Sequence, residues 1–389
     1  MRILFLDQSG QLGGAELCLS DLALFYRDRC TVGVFVPGPF PEHLRSLNVP
    51  VVVLARQALD VQKQSGWVQS IKAVTRLCPL VYRTVRLAAR HDCIYANTQK
   101  ALVVGAIASL LSRKPLVYHL HDIVSLEHFS RGNRKIIVTL ANRAALVIAN
   151  SQASKEAFVA AGGNERLVEV AYNGFDSARY QLPANTRDQL RAQLGVEDRF
   201  VVGHFSRLSP WKGQHLLVEA LSRCPSKVIA LFVGSALFGE DSYAQQLKEQ
   251  IESAGLGDRV QFLGFRSDIP ALMSACDMVA HTSTAAEPFG RVIAEGLLCN
   301  RPVVAAAAGG ALEIVEHNET GWLTPVGDAE KLAEIIRLVY REPSWARSVA
   351  NRGRAYVEKH FDTIAVNAQI DKLLAKRLSF LLNGFDERT

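Results

Sequence analysis

Two glutamates, Glu287 and Glu295, stand eight residues apart in the run EPFGRVIAEGLLCNRPVVAAAAGG, residues 287–310. On a continuous helix they would lie about 12 Å apart by rise. Carboxylates at that distance do not share a proton. They are placed to accept hydrogen bonds from separate hydroxyls strung along an extended, polyhydroxylated ligand. Pro288 suits the first turn of a helix, where its missing N–H costs nothing. A helix is therefore expected to begin there, with Glu287 at its entrance. The amides of Phe289, Gly290, Arg291 and Val292 would point at whatever fills the helix mouth, and such a mouth favours an anion.

A second group, Arg207 and Lys212, falls in HFSRLSPWKGQHLL, residues 204–217. Both follow an apolar strand pattern and precede a helix pattern. Two cations and Gly213 at one strand-to-helix junction suit a diphosphate, because arginine forks to oxygens and lysine acts as a point charge. Hydroxyl acceptors on either side of a diphosphate describe a nucleotide sugar. The plainer alternative is a capped helix with solvated charges. VYHLHD (117–122) places His121 and Asp122 at a strand end, as cleft residues or as a structural histidine whose ring or following turn Asp122 serves. SGQLGG (9–14) ends in Gly13 and Gly14, which either close a tight turn or let backbone approach a ligand. It is not GxGxxG, and the second strand ends in Val36-Pro37 rather than an acid, so a dinucleotide fold with a ribose-binding acid fits poorly.

The elements that must position these residues alternate between apolar, β-branched runs and helical patterns. Strands are expected at ILFLD, TVGVFVP, VPVVVL, CIYAN, PLVYHL and ALVIAN. After the turn-rich stretch 172–188 the pattern restarts with FVVGHFS, KVIALFVGS, RVQFLGF, DMVAHTS, PVVAAAA and GWLTP. The chain closes with two helices near 343–359 and 362–381. This pattern gives two α/β units, 1–175 and 190–360, each with a parallel sheet covered on both faces. Open α/β sheets bind ligands beyond the carboxyl ends of their strands. Two of them facing one another would form a cleft lined by the residues singled out above.

Hydrophobic residues make up 49% of the 389 and charged residues 21%, which fits a globular chain of two domains. No run approaches the ~20 apolar residues that span a bilayer. Asp7 interrupts the first apolar run too early for a signal peptide, so a cytoplasmic protein is expected. The seven cysteines include no CxxC pair and read as reduced core residues. Residues 1–150 hold 18 Lys and Arg against 9 Asp and Glu, while the remainder is slightly acidic. Much of the excess lies in 70–92 (Lys72, Arg76, Arg83, Arg86, Arg90) and in Arg131, Arg134, Lys135 and Arg143. A basic amphipathic segment of this kind can contact an anionic membrane or simply cover a core as a solvated face, and Pro79 is expected to break or kink it. No recognition motif accompanies the charge, so nucleic acid is not an expected partner.

EPFGRVIAE resembles the E-x7-E motif of the family 4 retaining glycosyltransferases, which have the GT-B fold of two Rossmann-like domains facing across a cleft. The resemblance extends to the Gly13–Gly14 loop, His121, Arg207 and Lys212, the YNGFD stretch and the GG after PVVAAAA; only about 37–92 lacks a family signature. It implies transfer of a hexose, with retention, from a nucleoside diphosphate sugar to a hydroxyl of a glycan or lipid-linked acceptor. UDP-glucose is the favoured donor. In that setting Arg207 and Lys212 bind the diphosphate and replace a metal, so no metal or cofactor is expected. Glu287 holds sugar hydroxyls, Glu295 the ribose, and the amides of Phe289 to Val292 meet sugar and phosphate. Phe265 and Arg266 meet the base, His121 lines the reaction centre, and Gly14 approaches the phosphate. The first domain takes the acceptor, the second the donor, and the final helix packs back on the first. A GT-B epimerase or phosphorylase is the alternative enzyme, and a non-catalytic sugar-binding protein the alternative from another class.

Overall fold

The computed structural model describes residues 1–55, 67–236 and 239–386. The chain divides into two compact units, one of 1–174 with 363–389 and one of 175–362.

The first unit is built on seven parallel strands: β1 (Ile3–Asp7), β2 (Cys30–Val34), β3 (Val51–Val53), β4 (Cys93–Ala96), β5 (Leu116–Leu120), β6 (Leu146–Ala149) and β7 (Val168–Val170). Their spatial order is β3-β2-β1-β4-β5-β6-β7. Strand β1 is buried throughout because both faces of the sheet are covered. Ile3 and Phe5 enter one apolar layer; Leu4 and Leu6 enter the other. The final helix, Thr363–Asp386, belongs to this unit. Val366, Ile370, Leu374 and Leu378 recur every four residues along one face and pack with Leu19, Leu22 and Ala23. Burying each stabilises by roughly 1.5–3 kcal/mol. Asp371 accepts a hydrogen bond from the Tyr26 hydroxyl at 2.5 Å and fixes the register.

The second unit has six parallel strands: β8 (Phe200–Phe205), β9 (Val228–Val233), β10 (Val260–Gly264), β11 (Met278–His281), β12 (Val303–Ala306) and β13 (Trp322–Thr324). They run in the order β10-β9-β8-β11-β12-β13. The helices Thr186–Leu194 and Pro343–His360 lie within this unit, so the turn-rich stretch leads directly into it.

Two elements differ from expectation. Strand β7 is only three residues, VEV, too short for a period to show. The helix Trp67–Ala88 runs through Pro79 instead of breaking there. Proline removes one backbone donor, but beyond it Leu80, Val81, Thr84 and Ala88 are buried and hold the helix in place. Of the basic residues on this segment, Arg83 donates to the Leu54 carbonyl at 2.5 Å and Arg86 lies over the Tyr82 ring. Lys72 and Arg76 lie outside the residues whose side chains are described.

Candidate functional site

In each unit a polar cluster forms where the strand order reverses, the position at which open α/β sheets bind ligands. In the second unit that point lies between β8 and β11. Chain leaving β8 passes Arg207 and a short 3-10 turn, Pro210–Lys212, before the helix Gln214–Ser222. This loop is tied to the chain leaving β11. The Thr284 amide donates to the Trp211 carbonyl at 2.8 Å, and the Thr282 hydroxyl donates to the Gly213 carbonyl at 2.8 Å. His204 is buried beneath. Burial, with the neighbouring His281, pushes its pKa down to about 3, so it is neutral. Its Nε2 faces the Lys212 carbonyl at 3.2 Å and must carry the proton, because a carbonyl only accepts.

Gly213 is required here. Its φ is +71°, and a Cβ would lie 2.0 Å from the Thr282 carbonyl oxygen. Gly213→Ala is expected to destabilise the protein by at least about 2 kcal/mol through strain and displacement of the loop. Thermal unfolding checks this; an unchanged midpoint would contradict the close approach.

The loop aims the Lys212 ammonium at Glu287, with which it forms a largely buried ion pair. The ammonium also lies 4.0 Å from the centre of the Trp211 ring, and the Arg207 guanidinium lies 5.9 Å from it. Glu287 Oε1 accepts from the Ser283 hydroxyl at 2.7 Å and lies 3.3 Å from His281 Nε2. Burial opposes ionisation of Glu287, but the Lys212 charge and the His281 hydrogen bond outweigh it and hold the carboxyl well below the usual carboxylate range. A carboxylate so held accepts hydrogen bonds and does not donate a proton. Its Oε1 takes all of these contacts, and Oε2 has no partner among the described residues.

The local backbone corrects one expectation. The helix begins at Arg291 with Gly290 as its N-cap, so Pro288 precedes the helix and does not occupy its first turn. Gly290 has φ +92°, a turn that ends the straight path from Glu287 to Glu295. The stretch 287–289 instead packs along the glycine pair: the Gly310 amide donates to the Glu287 carbonyl at 2.8 Å. A Cβ on Gly309 would lie 2.2 Å from that carbonyl oxygen, which explains the GG after β12. Glu295 pairs with Arg291 at 3.2 Å, and Arg291 lies over the Phe175 ring. Burial, with the charge of Glu295, raises the Tyr180 phenol, so Tyr180 belongs to this end of the cluster. Phe265 and Arg266 follow β10, where Phe265 is 75% exposed and Arg266 forks to Asp268 at 2.8 and 2.6 Å.

His121, Gly13 and Gly14 lie in the first unit, where the order reverses between β1 and β4. Asp7 ends β1 and is buried; it accepts from Asn97 Nδ2 at 2.8 Å. That leaves Asn97 Oδ1 to accept from His121 Nε2 at 2.9 Å, so His121 carries its proton on Nε2. Asn97 thus orients the ring, and Asp122 is held by Gln99 at 2.9 Å. Gly13 caps the helix Gly14–Phe25, and Glu16 turns back so that Oε2 lies 2.6 Å from where a Gly13 Cβ would be. Burial pushes Asp7 up to about 6; burial and the charge of Asp7 push Glu16 up to about 7.

The folded state holds protons that the unfolded chain has released above the ordinary values of 3.8 and 4.5. These two acids therefore weaken the fold as pH rises from about 4 to 7. Glu16→Gln is expected to raise the thermal midpoint above pH 7 and flatten this part of its pH dependence. A parallel wild-type and variant profile would exclude the buried acid.

Asp7, Glu16, Asn97, Tyr180, His281 and Ser283 were not singled out from the sequence. Asp7, Asn97, His281 and Ser283 do carry a signal: each sits at or just beyond the end of an apolar strand. Among the described residues, no group of three or more His, Cys, Asp or Glu is arranged to hold a metal ion. None of the described helices is long and apolar enough to cross a membrane.

Comparison with known proteins places the chain in a family. Residues 12–179 match the family model for Glycosyltransferase Family 4, and residues 186–356 match that for Glycosyl transferases group 1. Anabaena HepE (Alr3699), solved in complex with UDP and glucose and with UDP-glucose, is 54% identical; the match covers 97% of this chain and all of HepE, with a TM-score of 0.90. The D-inositol 3-phosphate glycosyltransferase of Mycobacterium marinum is 26% identical over 94% of this chain and 81% of its own length. A GDP-mannose-dependent phosphatidylinositol monomannoside mannosyltransferase of Mycolicibacterium smegmatis is 27% identical over 63% of this chain and 65% of its own. The fold is GT-B, and the chain is a member of glycosyltransferase family 4, an enzyme that transfers a sugar from a nucleotide sugar to an acceptor.

Proposed function

We propose that the enzyme transfers glucose from UDP-glucose to a hydroxyl, with retention of configuration, in the assembly of a polysaccharide or glycolipid. The observation that carries the site assignment is the buried Lys212–Glu287 pair at the reversal point of the second sheet. The choice of UDP and glucose follows the ligands bound by HepE.

In this reading the second unit takes the donor. Arg207 and Lys212 meet the diphosphate. An ammonium has three donors, so Lys212 can keep Glu287 while reaching a phosphate oxygen. Charge grows on the departing diphosphate, and two fixed cations with the amides of Phe289 to Val292 stabilise it without reorganising. Glu287, anionic and open at Oε2, accepts from sugar hydroxyls. Glu295 accepts from the ribose, and Phe265 and Arg266 meet the base. The first unit takes the acceptor, with His121 lining the reaction centre and Gly13 and Gly14 approaching phosphate. The leaving diphosphate oxygen receives the proton of the attacking hydroxyl on the same face of the sugar, which retains configuration. A cytoplasmic location, peripheral at an anionic membrane, completes the reading.

Thermal unfolding in UDP, GDP and ADP tests the base, with the largest shift expected for UDP. The anomer first released during slow hydrolysis of UDP-glucose tests the stereochemistry. Initial α-glucose is expected; initial β-glucose would contradict retention, and a new nucleotide sugar without acceptor would favour an epimerase.

A further inference from the structure

Where β8, β11 and β12 of the second sheet begin, arginines gather around one acid. Asp277 precedes β11, and both of its oxygens are taken. Arg187 donates to Oδ1 at 2.5 Å; Arg191 and the Val201 amide donate to Oδ2 at 3.1 and 2.8 Å. Arg301, two residues before β12, forms no ion pair among the described residues. It donates to the carbonyls of Cys299 at 3.0 Å and Cys276 at 3.4 Å. Arg187 donates to that same Cys276 carbonyl at 2.6 Å, so two guanidiniums converge on one oxygen. Burial, and then the charge of Arg187, lowers the pKa of Arg301, as expected for a cation held beside another. Arg347 is exposed in the second turn of the helix Pro343–His360 and has no ion pair or hydrogen bond among the described residues.

Arg187, Arg301 and Arg347 line a cavity of about 380 Å³, in which Asp277 is the only acid and Phe200, Val339 and Pro343 form apolar wall. The helix Pro343–His360 opens on this cavity through its first two turns. Its N-cap, Glu342, supplies no side-chain hydrogen bond, and no acid stands in its first turn, so the helix end adds positive field to that of the arginines. Asn300 completes the lining. A φ of +55° turns the chain there, just after the helix Arg291–Leu298. Its side-chain Oδ1 is buried and has no hydrogen-bond partner among the described residues. Unbalanced cations and an orphaned buried acceptor both weaken a fold, and a ligand that satisfies them together would recover both losses.

We propose that this cavity is a second ligand site, which takes a phosphate monoester of a small polyhydroxylated molecule of about the size of a hexose phosphate. Arg301 and Arg347 fork to the phosphate oxygens, and a dianion balances the two charges that Asp277 leaves unpaired. Asn300 Oδ1 accepts from a hydroxyl of the ligand, and Phe200 and Pro343 face its carbon body. The site stands apart from the donor cluster. It lies where β8, β11 and β12 begin, whereas Arg207, Glu287 and the Gly309–Gly310 pair lie beyond the ends of the same three strands. Both ligands can therefore be bound at once, and the assignment does not depend on the glycosyl-transfer reading.

Titration calorimetry on the full chain tests this with glucose 6-phosphate, inorganic phosphate and glucose, all in saturating UDP to keep them from the donor cluster. The wild type is compared with Arg347→Gln and with Arg301→Gln/Arg347→Gln. Should the double variant fail to fold, the single change at an exposed, unpaired arginine decides alone. Glucose 6-phosphate is expected to bind the wild type more tightly than phosphate, with no binding of glucose. Arg347→Gln is expected to bind it at least about tenfold more weakly, and the double variant more weakly still, as the loss of charge-assisted hydrogen bonds requires. No binding of glucose 6-phosphate to the wild type would overturn the proposal, as would equal affinity in wild type and Arg347→Gln, or phosphate binding as tight as that of the ester. The UDP-induced thermal shift, measured without sugar phosphate, is expected to be the same in wild type and Arg347→Gln. Its absence from the wild type would strike at the donor reading and leave the cavity test standing.

Discussion

Lys212→Ala is expected to lower turnover by about a hundredfold, and to destabilise the protein at neutral pH. The catalytic loss follows from removing one preorganised cation from the position where diphosphate charge develops, a change worth about 2.7–4 kcal/mol in comparable sites. The loss of stability has a separate cause. Glu287 would remain buried with no counter-ion, and breaking a buried pair from one side costs about 3–5 kcal/mol. The two effects separate in a second variant. Lys212→Met combined with Glu287→Gln removes both charges, so it should regain much of the stability and none of the turnover. Their pH dependence separates them again. In the wild type the depressed Glu287 pKa contributes stability that is present above 4.5, the ordinary carboxyl value, and is lost only as pH falls towards the lower folded value. Without Lys212, only the His281 and Ser283 contacts oppose burial, the folded pKa rises, and the stability that Glu287 contributes above that ordinary value should shrink. Steady-state kinetics and unfolding between pH 4 and 8 measure both. Near-normal turnover by Lys212→Ala would remove its phosphate role.

Glu287→Gln is expected to reduce discrimination between donor sugars by about tenfold or more. A site that hydrogen-bonds a particular hydroxyl rejects an analogue because its own buried groups are then left unpaired. The carboxylate accepts from every donor that reaches it, and Ser283 and His281 fix its orientation. A neutral amide of the same shape presents a donor where the anion presented an acceptor, and it faces the Lys212 ammonium. The ratio of kcat/KM for UDP-glucose and UDP-galactose is the measurement. An unchanged ratio with lowered turnover would make Glu287 a partner of Lys212 and not a reader of the sugar.

The sequence carried the architecture because each unit obeys one rule, short buried strands alternating with amphipathic helices. It carried the placement of Arg207, Lys212 and Glu287, because each lies on chain leaving a strand at the reversal point. It did not carry the local backbone of residues 287–290. Proline there read as a helix start, but Gly290 and the Gly309–Gly310 backbone, distant in sequence, place the helix start after it. The same limit hid Asn97 as the residue that orients His121, since the neighbour in space is 24 positions away in the chain. Strand β7 was missed because three residues have no period. Arg131, Arg134 and Lys135 were visible as charge, but that they share a cavity with Leu126 and Ala161 is a tertiary fact.

A crystal structure with UDP-glucose bound tests the central claim most directly. The diphosphate is expected within hydrogen-bond distance of Arg207 and Lys212 at the mouth of the helix Arg291–Leu298, with glucose hydroxyls on Glu287. A diphosphate held elsewhere, with the Lys212–Glu287 pair closed and untouched, would contradict it.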